Sequence, residues 1–297
     1  MLQNLAQHSK IDDRMRDMCA TFCEPENSAR IAVEHHLAAG GNRLRASICL
    51  DASARLGIIA TDAIVLATVC ELLHNASLVH DDLLDRESTR RGGPSVWVAF
   101  GDDVAVCSGD LMLSASYGAV GKISDPAMLP DLIRLIHRRA SEVIAGQCAE
   151  NAAKSAVSLT MLQYENLALG KSASLLTLPL ELPLFVSGNS ASLGRAGRAA
   201  SAFSIAYQMA DDLEDFDADQ RAGSLNVVTV VQGQDSCGYE QARSIVRKRA
   251  AILFQVARKE ASLLPFECGS ILEAHATTAL KGLAADQLRG SAMAESL

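Results

Sequence analysis

Apolar residues along this chain recur at three- and four-residue steps, not at every second position. The clearest stretch is Thr61–Asp85, where Ile64, Val65, Val69, Leu72, Leu73 and Leu78 form a helical stripe. Thr61 is placed as its N-cap with Asp62 in the first turn. The stripe runs into Asp81-Asp82-Leu83-Leu84-Asp85, and Gly92-Gly93-Pro94 breaks the pattern beyond it. A second long helix is predicted over Arg195–Asp217, followed by a loop with Asp219, Gln220, Ala222 and Gly223. Further helices are predicted at 28–39, 43–56, 103–120, 128–147, 156–175, 239–263 and 269–290, with connections at Pro126–Pro130 and Leu178–Ser192. No segment alternates like a strand, and no strand–helix–strand rhythm appears. Prolines number only seven, with none between Pro25 and Pro94 or between Pro183 and Pro265, and alanine and leucine abound. No stretch reads as an interdomain linker. The expectation is an all-α protein of one large domain over 1–297, with 1–27 and 286–297 peripheral or mobile.

Composition narrows the function. With 297 residues and 49% hydrophobic content, the chain can bury a large core, and 21% charged residues exclude a disordered polymer. The 27 Lys+Arg against 35 Asp+Glu give a net charge of −8, which argues against general nucleic-acid binding but leaves room for a local basic pocket. The longest stretches without Asp, Glu, Lys or Arg are thirteen residues, Leu182–Gly194 and Ala222–Gln234. A spanning helix needs ~20 apolar residues, so no membrane span is expected. The opening MLQNLAQHSKIDDRM carries charges where a signal peptide is apolar, so a cytoplasmic location is expected. Eight cysteines, at 19, 23, 49, 70, 107, 148, 237 and 268, form no CxxC pair. They read as small buried hydrophobes in a reducing compartment and not as a zinc site.

Two acidic runs concentrate the chemistry: His80-Asp81-Asp82-Leu83-Leu84-Asp85 and Ala210-Asp211-Asp212-Leu213-Glu214-Asp215. In each, the first and last aspartates are four apart, which stacks two carboxylates on one helical face. Like charges so placed repel. A solvated acidic face would explain one such run. Two matching runs, each following a long apolar stretch, point instead to a shared site for a hard divalent cation, and Mg²⁺ held by carboxylates grips substrate phosphates. Cations lie nearby in sequence: Arg90-Arg91-Gly92, Gly40-Gly41-Asn42-Arg43-Leu44-Arg45 and Gly170-Lys171-Ser172. The last is not a P-loop, because Glu165 stands where the first glycine belongs and no strand precedes it.

Taken in order, GGNRLR, HNASLVHDDLLDRESTRRGGPS, FGDDVAVCSGDLML, the GQ at 146–147, GKSASL and AYQMADDLEDFDAD resemble the trans-isoprenyl diphosphate synthases over residues 28–285. Geranylgeranyl diphosphate synthases are the most similar kind. The resemblance implies a helical bundle around a central cavity, of the isoprenoid synthase type. It also implies three Mg²⁺ held by Asp81, Asp82, Asp85, Asp211, Asp212 and Asp215 around an allylic diphosphate (dimethylallyl, geranyl or farnesyl). Arg90 and Lys171 would touch that diphosphate. Arg45, Arg91 and His74 would hold isopentenyl diphosphate. Gln208 and Ser172 would turn oxygen dipoles toward the allylic cation, and Gln147 would line the cavity. The implied reaction is ionisation of the allylic C–O bond, head-to-tail attack by isopentenyl diphosphate, and proton loss to the departing pyrophosphate. The family forms homodimers, and one is expected here.

Three departures bear on activity. The family's GGKR has Asn42 at its lysine, so a charge-assisted hydrogen bond worth ~1.5–3 kcal/mol is replaced by one near 1, and weaker isopentenyl diphosphate binding is expected. The segment Asp219-Gln220-Arg221-Ala222-Gly223-Ser224-Leu225-Asn226 lacks the usual lysines and offers only Arg221. Ser172 replaces a threonine but keeps the hydroxyl. These losses keep open a weakly active or non-catalytic regulatory subunit, although all six aspartates persist. A terpene cyclase is disfavoured by the second aspartate run. Chain length in the family is set on the helix before the first motif, where Ala76 and Ser77 are small and Leu73 follows on the same face, with Met112 and Tyr117 on a neighbouring helix. The expected product is geranylgeranyl diphosphate, with farnesyl or longer polyprenyl diphosphates as alternatives.

Overall fold

Caps and breakers set the limits of the helices in the computed structural model, which describes residues 2–153 and 159–294. In chain order these are α1 (Leu2–Ala20), α2 (Ser28–Ala38), α3 (Leu44–Arg55), α4 (Ala60–Leu84), α5 (Val96–Phe100), α6 (Asp102–Val120) and α7 (Leu129–Ala153). After them come α8 (Met161–Ala168), α9 (Ser174–Val186), α10 (Leu193–Ala222), α11 (Val227–Asp235), α12 (Tyr239–Ser262) and α13 (Ser270–Ala294). Asn27 caps α2 by accepting from the N–H groups of Ala29 and Arg30, and Thr160 and Gln163 form a reciprocal capping box at α8. Strand structure among the described residues is a hairpin of two-residue strands, Thr89–Arg90 and Gly93–Pro94. The all-α class is therefore observed.

The chain forms two compact units, one of residues 1–138 with 178–188, the other of 139–177 with 189–297. In the first, α4 is the core helix, packed by α6, α3, α1 and α5. Val65, Leu66, Val69, Leu72, Leu73, Ala76 and Val79 are all buried. By length and apolarity α4 could cross a membrane, yet 72% of its most apolar window is buried inside the protein, as in a core helix. In the second unit α10 lies along α12 and also meets α11 and α13. Phe203 and Phe254 meet edge to face there, with centroids 5.6 Å apart.

Several sequence expectations are corrected. Ile59, not Thr61, is the N-cap of α4, and Asp62 instead accepts from Ser124 N and Oγ at 3.0 and 2.7 Å. Residues assigned to the periphery form α1, whose Ile11, Met15 and Cys19 are at most 1% exposed. At the other end, α13 continues to Ala294, and 295–297 lie outside the described residues. The supposed connection from Leu178 is helical to Val186 despite Pro179 and Pro183. Each proline removes a backbone bond, but Leu178, Leu180, Leu182 and Leu184 are fully buried, which offsets the loss. The helix expected at 156–175 starts at Met161 and contains a π-helical turn, Leu169–Ala173, and 154–158 lie outside the described residues. Helix α10 runs past Asp217 to Ala222, taking in the expected loop. Of the cysteines, 19, 49, 70 and 268 are buried, whereas Cys107 and Cys148 are exposed.

Candidate active site

The first aspartate run ends α4. Asp81 and Asp82 lie in its last turn and Asp85 is its C-cap, with Asp85 N donating to Asp81 O at 2.8 Å. Carboxylates at this end face the negative pole of the helix dipole and the last carbonyls. Compensation comes from the hairpin that follows. Arg91 and Gly92 both have positive φ, 54° and 82°, as a tight two-residue turn needs. That turn brings Arg90 back onto Asp82, where Nε donates to Oδ1 at 2.9 Å and Nη2 makes a further close contact. Asp82 is fully buried, whereas Asp81 and Asp85 are half-buried. Arg91 reaches the other way and donates through Nη1 to the carbonyl of Gly40. Gly41 has φ 146°, and a Cβ there would fall 2.8 Å from the Arg91 guanidinium carbon, so this corner needs glycine.

Around this turn the first unit gathers positive and neutral nitrogen groups. Arg43, the N-cap of α3, has its Nη2 buried without a hydrogen-bond partner, and so has Arg45 its Nε. Glu71 of α4 is 1% exposed, and its Oε1 accepts from Ala46 N at 2.9 Å, in the first turn of α3. Asn75 donates to Glu71 O at 2.7 Å and accepts from His36 Nε2 at 3.0 Å. Burial, and then the Arg45 and Arg91 charges, push the His74 imidazole well below the usual histidine range, so it is neutral. Burial does the same to His36, which falls to about 4. His74 thus lies within the electrostatic reach of Arg45 and Arg91, Arg91 braces its loop, and Asn42 is exposed. A buried guanidinium nitrogen with no partner is costly, and an anion's oxygens would relieve that cost.

The second aspartate run lies inside α10, not at its end. Asp212 is 3% exposed and saturated: Tyr164 Oη and Val227 N donate to Oδ2 at 2.9 and 2.7 Å, and Gln208 Nε2 donates to Oδ1 at 3.0 Å. Asn226, the N-cap of α11, donates to Asp212 O and to Asp219 Oδ2 at 2.7 and 2.8 Å. Burial raises the Asp212 carboxyl, partly opposed by those donors. Asp211 is half-buried and Asp215 exposed. Burial, then Glu214, Asp215 and Asp212, push the Asp211 carboxyl up to about 7.

Ser172 is half-buried in the π-helical turn that also carries Lys171, whose side chain lies outside the described residues. This turn presses on α7: a Cβ on Gly146 would come within 2.3 Å of Gly170. Next to Gly146, the Gln147 Nε2 is buried without a hydrogen-bond partner. Arg221 is exposed in the last turn of α10 and donates to Asp217 O at 2.9 Å. Leu73 and Ala76 are buried, and Ser77 is half-buried with its Oγ donating to His74 O at 2.8 Å. Helix α6, carrying buried Met112 and half-buried Tyr117, packs along this stretch of the first unit.

Among the described residues, no three His, Cys, Asp or Glu side chains gather as a metal cage. Each motif instead offers two more accessible carboxylates, Asp81 with Asp85 and Asp211 with Asp215. That donor set fits Mg²⁺, which takes one or two carboxylates and completes its shell with waters and phosphate oxygens. Sequence reasoning missed Glu71, Asn75, Tyr164 and Asn226. Tyr164 and Asp212 are 48 positions apart, and no spacing rule connects them.

The polyprenyl synthetase family model matches residues 27–229. The chain is 29% identical over 215 residues to the short chain isoprenyl diphosphate synthase of Methanothermobacter thermautotrophicus, covering 71% of this chain and 65% of that protein. It is 34% identical over 174 residues to the (2E,6E)-farnesyl diphosphate synthase of Mycobacterium bovis, covering 58% of this chain and 48% of that one. The chain thus spans less than two thirds of the length of these curated relatives. In fold it is similar to the geranylgeranyl pyrophosphate synthetase of the archaeon Geoglobus acetivorans, with TM-score 0.83 and 22% identity over 93% of this chain and 98% of that one. With the family model spanning more than half of its residues, the chain belongs to the polyprenyl synthetase family.

Proposed function

We propose that the chain is a Mg²⁺-dependent trans-prenyltransferase that joins isopentenyl diphosphate head-to-tail to an allylic diphosphate. The observation that carries this reading is the first unit's combination of an acidic pair, Asp81 and Asp85, with an unsatisfied buried guanidinium nitrogen on Arg45. A diphosphate carrying Mg²⁺ has the charges to answer both. In the reaction the allylic C–O bond breaks with its electrons leaving on pyrophosphate, the double bond of isopentenyl diphosphate forms the new C–C bond, and pyrophosphate takes the proton then lost.

Asp81, Asp85, Asp211 and Asp215 would hold the metal, three ions in all, and bound Mg²⁺ would stabilise negative charge on the leaving group. Asp82 and Asp212 complete the two motifs by anchoring neighbouring side chains. Arg90 and Lys171 bind the allylic diphosphate. Arg45, Arg91, neutral His74 and Asn42 bind isopentenyl diphosphate, His74 by hydrogen bonding alone. Gln208, its amide held by Asp212, and Ser172 direct oxygen dipoles at the allylic carbon. Arg221 is the cation available to the segment after the second motif. The protein acts as a homodimer.

The product is geranylgeranyl diphosphate, since small Ala76 and Ser77 leave the chain path open as far as Leu73. Curated relatives are named for farnesyl, geranylgeranyl and short-chain products. The deciding experiment incubates the purified protein with isopentenyl diphosphate, Mg²⁺ and each of the five-, ten- and fifteen-carbon primers, then measures product length. A twenty-carbon product supports the reading, and no product from any primer moves it to a regulatory subunit. Ala76→Phe is expected to shorten the product, and an unchanged length distribution places the floor elsewhere.

A further inference from the structure

Helix α1 reaches the start of α3 through two side chains one turn apart. His8 Nε2 lies 2.9 Å from Ser47 Oγ, and Arg43 Nε donates to Asp12 Oδ1 at 2.7 Å. His8 and Asp12 are four residues apart, as are Arg43 and Ser47, so each pair shares a helical face and the two ties run side by side. They fall on the turn of α3 that carries Arg45. Arg43 is itself unusual. It caps α3 with φ 47°, a left-handed conformation that a residue with a Cβ adopts only when its surroundings enforce it.

Those surroundings are visible. The Arg43 side chain is 2% exposed, between Asp12 and Glu71, whose Oε2 lies 3.7 Å from Nη1. Glu71 also binds the amide of Ala46. The backbone from Arg43 to Ser47 is therefore gripped by α1 on one side and α4 on the other, and Arg91 holds Gly40 ahead of it. With its Nε and Nη1 facing carboxylates, Arg43 shapes the loop more than it reaches out of it.

We infer that His8 and Asp12 are positioning residues for the isopentenyl diphosphate subsite, holding left-handed Arg43 and through it the orientation of Asn42 and Arg45. This rests on the prenyltransferase reading above. Because Asn42 supplies no charge, binding depends more heavily on where Arg45 stands, and misplacement of an oriented cation weakens its grip on a diphosphate.

The test uses the full chain with Asp12→Ala, Asp12→Glu and His8→Ala. Steady-state kinetics with each substrate varied, calorimetric binding of isopentenyl diphosphate and thermal melting are measured on all. Asp12→Ala is expected to raise KM and Kd for isopentenyl diphosphate about tenfold, on the scale of losing one well-placed charged contact. KM for the allylic substrate and kcat stay within about twofold on the same reasoning. Asp12→Glu restores the wild-type values, and His8→Ala gives the same pattern more weakly. A general structural role would move kcat and both KM values together, or leave all unchanged, and either result overturns the inference. If Asp12→Ala does not fold, His8→Ala and Asp12→Glu decide it by the same split. Should the wild type bind isopentenyl diphosphate without turnover, the reading of function fails while calorimetry still judges the positioning role. Absence of binding to the wild type removes both.

Discussion

The two aspartate motifs share a sequence pattern but not an environment. The first ends a helix, in a neighbourhood of arginines, with its central Asp82 paired to Arg90. The second is embedded in a helix among other acids, with its central Asp212 held by the neutral donors Tyr164, Gln208 and Val227 N. In the second, burial and then the neighbouring carboxylates push Asp211 up to about 7. The first region thus holds buried guanidinium nitrogens without partners on Arg43 and Arg45, whereas the second crowds carboxylates together. In both, the middle aspartate is the buried one, held by hydrogen bonds from the surrounding fold, and the outer two are more accessible.

The strongest test of that division is turnover. Asp81→Ala and Asp211→Ala are each expected to lower kcat/KM by ~10³ or more, the scale for losing a charge-stabilising group, with little change in melting temperature. Retained turnover with added Mg²⁺ would remove the metal assignment for that motif. The middle aspartates should behave in the opposite sense. Asp212→Ala leaves a buried hydroxyl and backbone N–H and a half-buried amide without an acceptor and is expected to cost ~3 kcal/mol of stability. Asp82→Ala frees Arg90, which is 31% exposed and can hydrate, so about 1–2 kcal/mol is expected. Denaturant melts compare the two, and equal losses would erase the contrast drawn between a paired and a networked carboxylate.

Acid should also separate the regions. His36 sits in the first unit, neutral and hydrogen-bonded to Asn75, with its imidazole lowered from 6.5 to about 4. An unfolded chain takes up the proton first as pH falls below 6.5, so stability drops between pH 6.5 and 4 and levels off once the folded histidine also protonates. The full loss amounts to roughly 3 kcal/mol, and His74, shifted in the same direction, adds to the slope. Trp97 is the sole tryptophan and belongs to the first unit, so its fluorescence follows that region. Melts of wild type and His36→Gln at pH 7.5, 6 and 5 isolate the contribution. A constant difference between them across that range would show that His36 does not carry it.

The legible parts of this molecule were those governed by local rules. The apolar stripe before the first motif gave the helix that becomes α4, with its N-cap two residues early at Ile59, and the second acidic run was placed within a long helix, as it is in α10. What escaped depends on distant packing. Pro179 and Pro183 read as breakers, yet four fully buried leucines keep α9 helical around them. Asp82 and Asp212 look equivalent to their neighbours in sequence, and only the partners brought by the hairpin and by α8 and α11 set them apart. Arg43 reads as one more cation for phosphate, whereas its left-handed backbone and its carboxylate partners make it part of the scaffold.

The smallest predicted effect concerns what the first region lacks. Asn42 is exposed at the start of a loop whose other cations are buried or braced: Arg43 by Asp12 and Glu71, Arg91 by the Gly40 carbonyl. Asn42→Lys adds an ammonium where solvent can hydrate it, so the free protein suffers little from crowding with neighbouring arginines. Bound isopentenyl diphosphate would gain a charge-assisted hydrogen bond in place of a neutral one, a difference near 1.4 kcal/mol or about tenfold in KM. Neither kcat nor the allylic KM is expected to move, because the added charge belongs to the subsite of one substrate. An allylic KM that fell alongside would mean that this loop serves both diphosphates. The first region would then be a general anion trap, and the contrast with the second motif would have to rest on charge alone.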